Sequence, residues 1–104
     1  MGLYMKLPII GEEGYLSKIY KRKPSTVPRL GESIYLLPKL YSKVEKVSYG
    51  GHDLEAVNLV LTPISAIHVK ELTTVTLNNP KVKQHTGWVY QDGISYEYYA
   101  GDPD

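Results

Sequence analysis

At 104 residues without a cysteine, the chain is long enough for one domain with its own core, and it can hold neither a disulfide framework nor a thiolate metal site. No apolar run approaches the ~20 residues of a membrane-spanning helix, and Met1 to Ile10 lacks the basic start and long apolar stretch of a secretory leader, so a cytoplasmic protein without a membrane partner is expected. The formal net charge is only +1, but residues 1–50 carry nine Lys/Arg against four Asp/Glu, and residues 51–104 carry three against seven. Such a chain can draw a polyanion to one end or stack on its own copies, unless the fold mixes the two halves over one surface.

Leu3 to Ile10 reads as an apolar strand interrupted by Pro8, which cannot donate to a ladder and so points to an edge or a bulge. After the turn Gly11-Glu12-Glu13-Gly14, Tyr15 to Tyr20 alternates as a second strand, with Tyr15, Ser17 and Ile19 on one face and Leu16, Lys18 and Tyr20 on the other. Its inward face is open between Leu16 and Ile19. Residues 21–29 hold too many prolines and cations for a core element and are expected to form an exposed, extended loop. Lys18, Tyr20, Lys21, Arg22, Lys23 and Arg29 then make the densest candidate for contacts to a polyanion.

Val27 to Thr62 is the organising stretch. Pro28 stiffens the lead-in, Gly31 supplies a turn, and Ser33 to Leu37, Tyr41 to Tyr49 and Leu54 to Thr62 follow as a three-stranded meander. In the second of these strands Val44 and Val47 fall on opposite faces of a regular strand, and a β-bulge near Glu45 and Lys46 brings both to one side. Gly50-Gly51-His52-Asp53 has the composition of a hairpin turn. Ala56 to Leu61 is apolar at nearly every position, as in a central strand covered on both faces, with Val57, Leu59 and Leu61 turned to the core.

The segment 63–72 is open between a short helix started by Thr62-Pro63 and a strand; the β-branched residues Ile64 to Val69 favour the strand. Thr73 to Leu77 is a clearer strand, ended by Asn78-Asn79-Pro80. Asp92-Gly93 between Gly87 to Gln91 and Ile94 to Tyr99 is a type I′ hairpin signal. One face of that hairpin carries Val89, Ile94, Tyr96 and Tyr98, and the other Trp88, Tyr90 and Tyr99. The aliphatic face is expected inside, leaving Trp88, Tyr90 and Tyr99 as the candidate contact surface. A core wrapped around Trp88 is the competing reading. Ten tyrosines, one tryptophan and no phenylalanine fit a recognition surface, although tyrosine is also a good strand former.

No phosphate-cradling glycine loop, nucleophile elbow, zinc-protease motif or dinucleotide fingerprint is present, so no catalytic residue, cofactor or metal is assigned. His52, Asp53 and Glu55 lie close in sequence and could recruit His68, Glu71 or His85, but such groupings arise readily by chance.

Val-Pro-Arg-Leu-Gly-Glu-Ser-Ile at residues 27–34, followed by Tyr41-Ser42-Lys43-Val44-Glu45-Lys46-Val47, resembles small bacterial and phage proteins with an SH3-like barrel that open a strand with Pro-Arg-x-Gly-Glu/Asp. The resemblance covers about a quarter of the chain and implies a small barrel without an activity attached. The expectation is a single all-β domain over 1–104, a partly open SH3-like or related barrel of six to eight short antiparallel strands. Its expected function is non-enzymatic: a binding or assembly module, a homo-oligomer or one with a protein partner, with a phage or another mobile element as the expected source. The alternatives are a nucleic-acid-binding barrel using the basic loop 18–29, and a tyrosine-lined site, sequestering or enzymatic, for a nucleotide-like ligand.

Overall fold

The computed structural model describes residues 2–22, 24–50, 56–73 and 86–92. The fold is all-β: among the described residues six strands, β1 (Leu3–Pro8), β2 (Tyr15–Tyr20), β3 (Ser33–Leu37), β4 (Leu40–Tyr49), β5 (Val57–Leu61) and β6 (Val89–Gln91), form one sheet in the order β3-β4-β5-β1-β2-β6. The sheet curls into a half-barrel. Four of its five pairings are antiparallel, as expected, but β1 and β5 run parallel, Leu3 beside Val57 and Met5 beside Leu59. That pairing joins two segments some fifty residues apart, so no local turn signal announces it.

Alternation explains the core. Leu3, Met5 and Leu7 of β1, Leu16 of β2, Val57, Leu59 and Leu61 of β5 and Val44 of β4 share one face and bury together. Leu16 is fully buried whereas Ile19, on the opposite face, is half exposed, which settles the orientation of β2. The bulge in β4 lies between Val44 and Lys46, and it carries Val44 and Val47 to the same face, where both join the core. Asn58 is buried too, so β5 is covered on both sides at its centre.

Pro8 is not on an edge strand, because β1 lies between β5 and β2. The ladder to β5 extends only to Lys6, so the donor that Pro8 lacks falls beyond it, and the Pro8 carbonyl accepts from Ile64 N–H at 3.1 Å.

The preference for a strand over 63–72 is also corrected. Ala66–His68 forms a 3₁₀ turn that runs into a one-turn helix, α1 (Val69–Leu72), preceded by an isolated bridge between Ile9 and Ile64. Only Val69 and Leu72, three apart on one helical face, reach the core, while Ile67 faces outward. Thr62 is not the N-cap: Ser65 holds that place, and Thr62 bonds to β4 instead. Of the strand expected over Thr73 to Leu77 only Thr73 is described, in an isolated bridge to Trp88; residues 74–77, the turn residues Gly51 to Asp53 and residues 94–99 lie outside the described residues.

The connection from β2 to β3 leaves the sheet at the Leu3 end and rejoins it at the Leu61 end, where Gly31 N–H donates to the Val44 carbonyl (2.9 Å) and Val44 N–H to the Glu32 carbonyl (2.9 Å). Gly31 makes this turn at φ +86°, where a side chain is strained. Val27 packs on the core, so the connection crosses the sheet as a strap rather than a free loop.

Candidate functional site

Of the three hairpin residues assigned to contact, Trp88 is buried and Tyr90 is exposed. β6 pairs with β2 so that Tyr90 stands opposite Leu16 and Val89 opposite Ser17. Trp88 therefore lies on the core face and is 3% exposed, while Val89 on the outer face is 53% exposed. Trp88 is bridged to Thr73, and the Thr86 hydroxyl donates to the Leu72 carbonyl, so the backbone around Trp88 is tied to the end of α1. The expectation that Val89 would be internal ranked aliphatic above aromatic residues for burial, but the larger apolar surface of Trp88 is the side chain this core takes in. Tyr90 is exposed, with its ring and hydroxyl lying over Gly14. Tyr99 lies outside the described residues.

The basic group separates in space. Lys18 is on the core face, its Nζ 5.1 Å from the centre of the Tyr20 ring and 5.9 Å from that of Trp88, with Gly87 leaving room for its chain. Its charge is thus partly engaged by aromatic faces. Lys21 and Arg22 follow Tyr20 at the Leu3 end of the sheet and are exposed. Arg29 is exposed at the Leu61 end, about 13 Å along the strand direction by the usual rise per residue. Lys18, Tyr20, Lys21 and Arg22 therefore stand together without Arg29, and Lys23 is outside the described residues.

Among the described residues no three His, Cys, Asp or Glu side chains gather; His68 Nδ1 lies 3.4 Å from the carboxylate of Glu71, three positions on. His52, Asp53, Glu55 and His85 are outside the described residues.

A surface that the sequence did not single out is built on β3 and β4. Tyr35 and Tyr41 are paired across the two strands, with ring centres 5.5 Å apart at an interplanar angle of 67°, an edge-to-face contact. Each ring is 59% exposed. Ser42, between Tyr41 and Lys43, points into the core face and is buried, which turns Tyr41 and Lys43 outward. Lys46 lies on the same outer face beyond the β4 bulge, beside Val60. Lys43 and Lys46 are exposed and form no ion pair with a described residue. The outer face of the ribbon thus offers two aromatic rings and two cations that form no ion pair with a described residue, with the exposed Glu45 between them in sequence, on a ladder anchored to the core.

No family profile, curated protein or solved structure matches the chain. The functional reading rests on this geometry.

Proposed function

We propose that the chain is a non-enzymatic binding or assembly module that meets its partner through the outer face of the β3–β4 ribbon. The observation that carries this reading is the Tyr35–Tyr41 pair: two rigid rings, mutually packed yet mostly exposed, on strands whose opposite face is core. Tyrosines held this way give contact area with little entropy left to lose, and they are common at the energetic centres of interfaces. An open outer face with tyrosines and lysines provides contact and charge rather than a water-excluding cleft for chemistry. The test compares the wild type with a Tyr35→Ser/Tyr41→Ser variant, measuring molar mass by size exclusion with light scattering and oligonucleotide binding by anisotropy. At unchanged stability, the variant is expected to lose whichever association the wild type shows; a variant that assembles and binds like wild type overturns the reading.

A homo-oligomer formed elsewhere is the second reading. Ile19 and Val89 are both half exposed and are neighbours on the outer face of β2 and β6, an apolar patch suited to a second copy. If that patch assembles the protein, Ile19→Lys/Val89→Lys yields a monomer while Tyr35→Ser/Tyr41→Ser does not.

A further inference from the structure

The same ribbon also carries a ligand class, and this inference rests on its being the contact surface. Along the outer face of β4, Tyr41, Lys43 and Lys46 follow one another over about 15 Å at the usual strand rise, with Tyr35 beside Tyr41 on β3. Aromatic rings next to cations spaced along one strand match a ligand that alternates planar groups with negative charge. We propose that this face binds single-stranded nucleic acid, with bases packed on Tyr35 and Tyr41 and phosphates drawn to Lys43 and Lys46.

Three observations favour that occupant over another copy of the chain. The free edge of β3 is poorly suited to pairing with a second β3: a register irregularity between Tyr35 and Leu37 interrupts it, and Pro38 and a left-handed Lys39 (φ 67°) follow. A two-fold contact with its axis along or between Lys43 and Lys46 would bring these like charges together, which is repulsive. Both are also exposed and form no ion pair with a described residue. Duplex is a poorer fit, because its bases are already stacked and cannot reach the rings.

The test is fluorescence anisotropy with a labelled oligothymidylate of about 15 nucleotides, comparable with the sites of small single-strand binders. A duplex of the same length and inorganic polyphosphate serve as competitors. The single strand is expected to bind at about 50 mM salt, to weaken steeply by about 200 mM, and to be displaced poorly by either competitor. Tyr35→Ser/Tyr41→Ser is expected to weaken it at least about tenfold through lost base stacking. Lys43→Gln/Lys46→Gln is expected to lower the slope of log affinity against log salt by about 1.4, the share of two phosphates on a single strand. Lys21→Gln/Arg22→Gln, at the other basic cluster, and Tyr49→Ser, an exposed tyrosine off the patch, are expected to leave both quantities near wild type. Absence of wild-type binding at low salt overturns the proposal. So does equal competition by polyphosphate, or binding that depends on Lys21 and Arg22 but not on Tyr35 and Tyr41. If the wild type ignores oligonucleotides while Tyr35→Ser/Tyr41→Ser alters molar mass in light scattering, the ligand class is wrong and the contact surface stands.

Discussion

Ser42 and Thr62, twenty residues apart, share a closed hydroxyl pair: Ser42 Oγ donates to the Thr62 carbonyl at 2.7 Å and lies 2.7 Å from Thr62 Oγ1, which accepts from Lys43 N–H at 3.0 Å. Thr62 N–H in turn donates to the Lys43 carbonyl at 2.9 Å. These bonds tie the middle of β4 to the end of β5 beneath the outward-facing Tyr41 and Lys43. Ser42→Ala leaves part of this buried polar group unsatisfied and is expected to cost about 1–3 kcal/mol, read from the urea midpoint at unchanged m-value.

The orientation of β6 is tested by neighbours. Trp88→Ala empties a core position and is expected to cost about 3–5 kcal/mol in chemical denaturation. Val89→Ser, one residue on and facing out, is expected to stay within about 0.5 kcal/mol of wild type. The reverse ranking would return the strand to the orientation read from its sequence.

Gly14 is held by Tyr90. A Cβ at Gly14 would fall on the Tyr90 hydroxyl and ring, so Gly14→Ala is expected to cost about 1–3 kcal/mol through overpacking. In a Tyr90→Ala background the same change is expected to cost less than about 0.5 kcal/mol, which a double-mutant cycle measures.

Leu59 sits at the centre of the sheet, paired with Met5 on one side and Val47 on the other. Leu59→Ala is expected to lose about 2–5 kcal/mol by thermal or urea unfolding. A variant as stable as wild type would mean that β5 is shifted by one residue and presents Asn58 and Val60 to the core.

What could be read from the chain depended on how local its cause was. Tyr15 to Tyr20, Ser33 to Leu37 and the bulge beside Glu45 follow from alternation and its interruption within a few residues, and all three occur as expected. The inward set Val57, Leu59 and Leu61 was legible for the same reason. The β1–β5 pair was not, since parallel neighbours meet through distant contacts. Over 66–72, β-branched residues argued for a strand, but the packing of Val69 and Leu72 decided for a helical turn. The tyrosine pair was hidden by a register detail. A regular two-residue turn at Pro38-Lys39 pairs Leu37 with Leu40 and would set Tyr35 against Ser42; only the irregularity at Leu36 sets it against Tyr41. Pro38-Lys39 also lacks the Asn-Gly or Asp-Gly pattern of a type I′ turn: proline holds a negative φ and only Lys39 is left-handed (φ 67°), as in a type II turn.

The most direct measurement of the central claim is a titration of the ¹⁵N-labelled protein with oligothymidylate, followed by amide chemical shifts. The largest changes are expected to gather at Ser33 to Tyr35 and Tyr41 to Lys46, with Lys21, Arg22 and Tyr49 nearly still. Changes centred on Lys18 to Arg22, or none at low salt, would contradict the claim.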